Sequence, residues 1–134
     1  MNRVIIDTSG YSAFMRGHSK AKTHIQSADE IYLNPVILGE LLFGFRMGKY
    51  KQKNEMELNE FLSSTRVNVL SIDHETAKRY ALILERLKQQ GTLIPTNDLW
   101  IAASAMQHGA TLVTLDRHFL KVKEILIEFL IVEA

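Results

Sequence analysis

Five short apolar runs, at residues 4–6, 30–33, 67–70, 111–114 and 129–132, are separated for most of the chain by longer stretches whose apolar residues return every three or four positions. Short β-branched runs bounded by turn residues read as strands, and the longer periodic stretches read as helices. Strands that alternate with helices are joined by crossovers, so they pair side by side in parallel with helices over both faces. The pattern therefore predicts an α/β fold, a three-layer α/β/α sandwich with a mostly parallel central sheet.

Local signals place the pieces. Val4-Ile5-Ile6 ends in Asp7-Thr8-Ser9-Gly10, a buried strand followed at once by helix-capping residues. A short helix is expected over 11–15, broken by Gly17, with a second amphipathic piece through Lys22 and Ile25 to Ser27. Asn34-Pro35 combines an N-cap side chain with proline at the first helical position, and opens a mostly apolar helix over 36–47 that Gly48 ends. Residues 51–64 carry Met56, Leu58, Phe61 and Leu62 as one buried stripe among charges. Asp73 caps a long helix whose buried face uses Ala77, Tyr80, Ala81, Leu84 and Leu87, ending at Gly91. Asp98 falls in the first turn of an alanine-rich helix that Gly109 stops.

The 134 residues, 46% of them hydrophobic, suffice for one domain with a substantial core, and the reading is a single domain over 1–134. With no cysteine there are neither disulfides nor thiolate-bound zinc. No apolar run approaches the roughly 18 residues of a membrane span, and the start at Met1-Asn2-Arg3 meets Asp7 too early for a signal peptide, so a cytoplasmic protein is expected. The formal charge is +1, from 16 Lys and Arg against 15 Asp and Glu, so any nucleic-acid contact must come from local patches.

In a parallel sandwich, strand C-termini and the following helix N-termini share one rim, where ligands bind. Asp7 ends the first strand, Asp116 follows the strand at 111–114, and Asp98 starts its helix. Glu40 lies about five residues, roughly 7.5 Å, into its own helix, and its longer side chain can reach back. Singly, an Asp at a helix start is ordinary capping, and Asp73 and Asp98 both fit that role. Glu40 is different: it interrupts the apolar sequence Leu38-Gly39-Glu40-Leu41-Leu42, where unpaired burial costs several kcal/mol, so it needs a partner or a cation. Four gathered carboxylates repel unless a cation compensates them, and oxygen ligands without thiolates suit Mg²⁺ or Mn²⁺, which serve phosphodiester hydrolysis.

Four blocks now stand together: Asp7-Thr8-Ser9, Gly39-Glu40-Leu41, Asn97-Asp98-Leu99-Trp100-Ile101-Ala102-Ala103, and Leu112 through Thr114-Leu115-Asp116-Arg117-His118-Phe119. In order and spacing over essentially the whole chain they resemble the PIN domain, in particular the VapC-type toxins of bacterial and archaeal toxin-antitoxin pairs. The resemblance implies an endoribonuclease using Mg²⁺ or Mn²⁺, with Asp7 and Asp98 as the firmest metal ligands and Glu40 and Asp116 completing the catalytic cluster. Thr8, Ser9, Asn97 and Thr114 match positions around those acids, where a hydroxyl or amide orients a carboxylate. It also implies a homodimer held inactive by a VapB-like antitoxin, whose C-terminal segment lies in a groove and approaches the acidic site. One departure stands out: many relatives carry a further carboxylate before the Phe of the last block, and His118 is here instead.

Tyr11, Phe14, Met15, Phe43 and Phe45 are candidates for an apolar partner surface, although an aromatic stripe on a helix is more commonly core. Arg46, Lys49, Lys51 and Lys53 form the densest basic cluster and, with Arg16, Lys20 and Lys22, could track RNA phosphates, or simply be a solvated face. No two of His18, His24, His74 and His108 have ligand spacing; His118 either contacts phosphate or sits on the surface, and no histidine is assigned to metal. Phosphoryl-transfer folds with an Asp after strand one fit less well. A haloacid-dehalogenase-like domain needs an acid where Ser9 stands, and a receiver needs an acid pair where Asn2 and Arg3 precede Val4. The same residues also admit a PIN-like RNA- or protein-binding module without catalysis, or an RNA-maturation nuclease not paired with an antitoxin.

Overall fold

Val4, Ile5 and Ile6 are buried on both sides, as a central parallel strand requires, and they form β1 (Arg3–Ile6) in the middle of the sheet. The computed structural model describes residues 1–133, and Ala134, the last residue of the expected 1–134 domain, lies outside the described residues. After β1 come α1 (Thr8–Met15), α2 (Ser19–Ser27), β2 (Glu30–Leu33), α3 (Pro35–Met47), α4 (Lys51–Leu62), β3 (Val67–Val69), α5 (His74–Gln90), α6 (Thr96–His108) and β4 (Thr111–Thr114). A 3-10 helix (Arg117–Lys121) and β5 (Ile127–Phe129) complete the order.

The sheet runs β3-β2-β1-β4-β5, and all four pairings are parallel. From β1 the chain steps outward to β2 and β3, then returns across the sheet to β4 and outward to β5. Right-handed crossovers in opposite directions lie on opposite faces, so α1 to α4 cover one face and α5 with α6 the other. This is the three-layer α/β/α sandwich with its parallel centre. Between β1 and β4 the direction of winding reverses, and the crevice beyond their C-terminal ends is where such sheets bind ligands.

The caps read from the sequence are in place. Asn34 Oδ1 accepts from Ile37 N at 3.0 Å with Pro35 at the first helical position, and Asp73 and Thr76 form a reciprocal capping box. Gly109 ends α6 in left-handed backbone at φ 59°, a conformation costly for any residue with a Cβ. Gly48 ends α3 as expected, but with extended backbone.

Four details differ from the sequence reading. The helix expected over 11–15 starts at Thr8, because the Asp7 side chain caps it and accepts from Gly10 N. In α4, Leu58 is buried with Phe61 and Leu62 packed against the core, while Met56 is exposed on the opposite side. In α5, Ile83 and Thr76 join Leu87 in the interior, and Ala81 faces solvent. The last strand is 127–129 rather than 129–132: Leu112 and Thr114 bond to Leu126 and Leu130, which sets the register and leaves Ile131 and Val132 exposed. An apolar run of that length supports several registers, and only pairing with β4 selects one.

Candidate active site

Chain direction brings the acids to one rim. Asp7 follows β1 as the cap of α1, and Asp116 follows β4 as the cap of the 3-10 helix, its Oδ1 accepting from His118 N at 2.9 Å. Asp98 sits in the first turn of α6, and Glu40 lies in the second turn of α3. All four line one open cleft of about 460 Å³, with Thr8, Ser9, Phe43, Pro95, Asn97, Ile101 and His118. The four predicted carboxylates are therefore brought together.

Each of the four supporting residues reaches an acid. Thr114 Oγ1 donates to Asp7 Oδ2 at 2.6 Å, and Ser9 Oγ and Gly10 N each donate to Asp7 Oδ1 at 2.8 Å. Ser9 and Thr114 are also 3.2 Å apart, joining α1 to β4. Glu40 is half-buried and held at both oxygens, by Asn97 Nδ2 at 2.6 Å and by the Thr8 hydroxyl at 3.3 Å. The polar partner that an acid in an apolar helix demanded is thus a side chain from α6 and another from α1.

The site is electrostatically loaded. Burial pushes the Asp98 carboxyl up to about 6, and the neighbouring Asp116 and Glu40 charges push the same way against the lowering effect of His118. Burial also raises Asp7, opposed by its bonds from Thr114, Gly10 and Ser9 and reinforced by Asp116. Like charges in a half-dry cleft favour proton uptake or a cation.

The acids do not form one equal group. Among the described residues, Asp98, Asp116 and His118 each offer a ligand atom with all three within 4.8 Å of one another. His118 Nδ1 is 3.2 Å from Asp98 Oδ2 and 3.2 Å from Asp116 Oδ1. Asp7 is outside this trio, with both its oxygens engaged by the donors above. His118 is the site residue that sequence reasoning left aside, and its signals were its position two residues after Asp116 and its place where relatives carry an acid. The donor set, carboxylate oxygens with one imidazole nitrogen, fits a divalent ion such as Mg²⁺ or Mn²⁺.

Other candidates fall elsewhere. Arg46, Lys49 and Lys53 are exposed and Lys51 half-buried around the α3–α4 junction, and none lines the cleft. Of the aromatic candidates only Phe43 borders the acids, and it is 66% exposed. Tyr11 is buried, Phe14 and Phe45 pack partly against the core, and Tyr11, Met15 and Phe45 line a second groove of about 230 Å³ with Ser12, Arg16, Asn54 and Glu57. No helix among the described residues is long and apolar enough to cross a membrane.

Comparison with known proteins gives a consistent picture. The family model of the PIN domain matches residues 4–125. A ribonuclease VapC from Rickettsia bellii is 32% identical over 125 residues, spanning 91% of this chain and 92% of that one. Ribonuclease VapC2 from Rickettsia felis is 31% identical over 73% of this chain and 72% of its own. Among solved structures, VapBC2 from Rickettsia felis bound to a promoter DNA fragment superposes with a TM-score of 0.83 at 25% identity, covering 96% of this chain and 98% of that chain.

Proposed function

The chain belongs to the PIN domain family, and from that premise we propose that it is a metal-dependent endoribonuclease, the toxin of a VapBC-type toxin-antitoxin pair, with its active site at the Asp7, Glu40, Asp98 and Asp116 cleft. The observation that carries this is the convergence of four carboxylates from four separate elements into one cleft, with Asp98 raised to about 6. Helix capping explains Asp7 and Asp116 taken singly, but it does not explain Glu40 inside α3 and gives no reason for all four acids to line one cleft.

Mg²⁺ or Mn²⁺, when bound, supplies positive charge to the scissile phosphate and activates water for attack. Asp98 and Asp116 would provide its carboxylate ligands. Asp7, held by Thr114, Ser9 and Gly10, presents a carboxylate fixed in place beside those two. Glu40 is oriented by Asn97 and Thr8 so that it completes the anionic wall without swinging to solvent. Arg46, Lys49, Lys51 and Lys53 then serve as an outlying track for RNA phosphates. The groove lined by Tyr11, Met15 and Phe45 suits the apolar side chains of a VapB-like antitoxin.

The test is cleavage of a mixed set of structured and single-stranded RNAs in EDTA, Mg²⁺ and Mn²⁺, with folded Asp7→Asn and Asp98→Asn variants alongside. Cutting should require metal, and each variant should lose at least roughly 100-fold in rate, the upper range for disturbing groups that support a metal. Variants that cut as well as the parent would place the activity elsewhere.

A further inference from the structure

His118 is held where an ion ligand would have to be. Two ligands on adjacent corners of an octahedral ion with bonds of ~2.1 Å lie ~3.0 Å apart, and opposite ones ~4.2 Å. The Nδ1 atom stands 3.2 Å from one oxygen of Asp98 and 3.2 Å from one of Asp116, and all three atoms fall within 4.8 Å. Little movement is needed for the three to share one ion.

Its position is built rather than accidental. Asp116 caps the 3-10 helix through His118 N, and Asp116 N in turn donates to Thr114 Oγ1 at 2.9 Å. The next residue, Phe119, is fully buried in the core and pins that turn. The imidazole is therefore presented from a fixed backbone, with its side chain half-exposed and its remaining face open to the cleft.

Resting on the metal-dependent reading above, we propose that His118 is a protein ligand of the divalent ion together with Asp98 and Asp116, and that its nitrogen biases this site towards Mn²⁺ over Mg²⁺. Mg²⁺ is a hard ion that keeps oxygen and water around it and dehydrates reluctantly, whereas Mn²⁺, although the weakest nitrogen binder of the first-row divalent ions, is softer than Mg²⁺ and accepts an imidazole more readily. A carboxylate in place of His118 makes the site all-oxygen and removes the bias. The competing explanation is that His118 is only a counter-charge for two crowded acids; in that case the ring contacts carboxylates but never the ion.

Mn²⁺ binding followed by pulsed electron paramagnetic resonance separates the two, because a coordinated imidazole imposes nitrogen hyperfine coupling on the bound ion. The parent protein should show that coupling, and His118→Asp and His118→Asn should lose it. The ratio of Mn²⁺ to Mg²⁺ affinity, from competition titration, should fall on the order of 10-fold in His118→Asp, the low end of what disturbing a metal site costs. Folding of both variants is checked by circular dichroism, since the cap of the 3-10 helix uses the His118 backbone and not its ring. Bound Mn²⁺ without nitrogen coupling in the parent, or an unchanged affinity ratio in His118→Asp, overturns the inference. If RNA is still cut in a metal-dependent manner in that event, the proposed function survives; if no ion binds and no RNA is cut, both fall together.

Discussion

Asp98 carries an ionisable side chain where its charged form is disfavoured. It is 6% exposed, and its carboxyl is raised from 3.8 to about 6 by burial and by the charges of Asp116 and Glu40. A carboxyl raised in the fold binds its proton more tightly folded than unfolded, so its favourable contribution is full below the unfolded value and is lost as pH rises from about 4 to about 6. In the metal-free protein at pH 7, the ionised Asp98 is therefore a liability. Asp98→Asn should stabilise that state at pH 7, by an amount on the order of 1–3 kcal/mol, and have little effect near pH 4. Urea denaturation in EDTA at the two pH values measures this, and equal effects at both would mean that the burial of this charge is not what sets the cost. The placement of Asp98 at a helix start was legible in the sequence. That Asp116 and Glu40 share its rim was legible too; how deeply Asp98 is buried beside them was not, because that depends on the packing of α3 and α6 against the sheet.

Helix α1 lies against β4 at a distance that only glycine permits. A Cβ on Gly10 would stand 2.3 Å from the carbonyl oxygen of Val113, which is backbone in a central strand and cannot yield. Gly10→Ala should push α1 outward, strain the Asp7–Thr114 and Ser9–Thr114 links, and cost about 1–3 kcal/mol of stability. Thermal melting gives the first effect, and RNA cleavage by the folded fraction gives the second, expected to fall at least roughly 10-fold through misplaced acids. An alanine variant with parental stability and rate would show that α1 can shift without disturbing the site. The sequence marked Gly10 as part of a capping run; its reason for being glycine is a contact with a strand about a hundred residues later. The same holds for Asn34, read correctly as the α3 cap, whose Nδ2 also reaches Ser104 Oγ at 2.9 Å and ties the Glu40 helix to the Asp98 helix.

Across the whole molecule, an ion that binds only the folded state must stabilise it. At 100 times its dissociation constant the gain is roughly 2.7 kcal/mol, a rise in Tm on the order of 10 °C for a domain of this size. Mn²⁺ should therefore raise the melting temperature of the parent protein, EDTA should reverse the rise, and Asp98→Asn should abolish most of it. A melting temperature that stays constant up to saturating metal would contradict a site assembled across β1, α3, α6 and β4. Such coupling is expected because the cleft exists only when the two faces of the sandwich are docked on the sheet.

Features encoded by local chemistry can be read from the chain alone. β-branched runs fix strands, Asn34-Pro35 and Asp73-Thr76 fix helix starts, and the alternation of strand and helix leaves a parallel sandwich as the way to bury both faces. The four acids were legible as well, since each ends a strand or opens a helix, or, for Glu40, interrupts an apolar face. Packing across the sheet sets how they divide: Asp7 is tied to Thr114 and Ser9, Glu40 to Asn97 and Thr8, and Asp98 and Asp116 turn towards His118. It also decided that the final strand pairs at 127–129. Spacing along a chain constrains neighbours within a turn or a strand, such as Asp7 with Ser9, while the Asp7–Thr114, Glu40–Asn97, Glu40–Thr8 and Asp98–His118 contacts join residues 20 to 107 positions apart, and their distances are set by the packing of whole elements across the sheet.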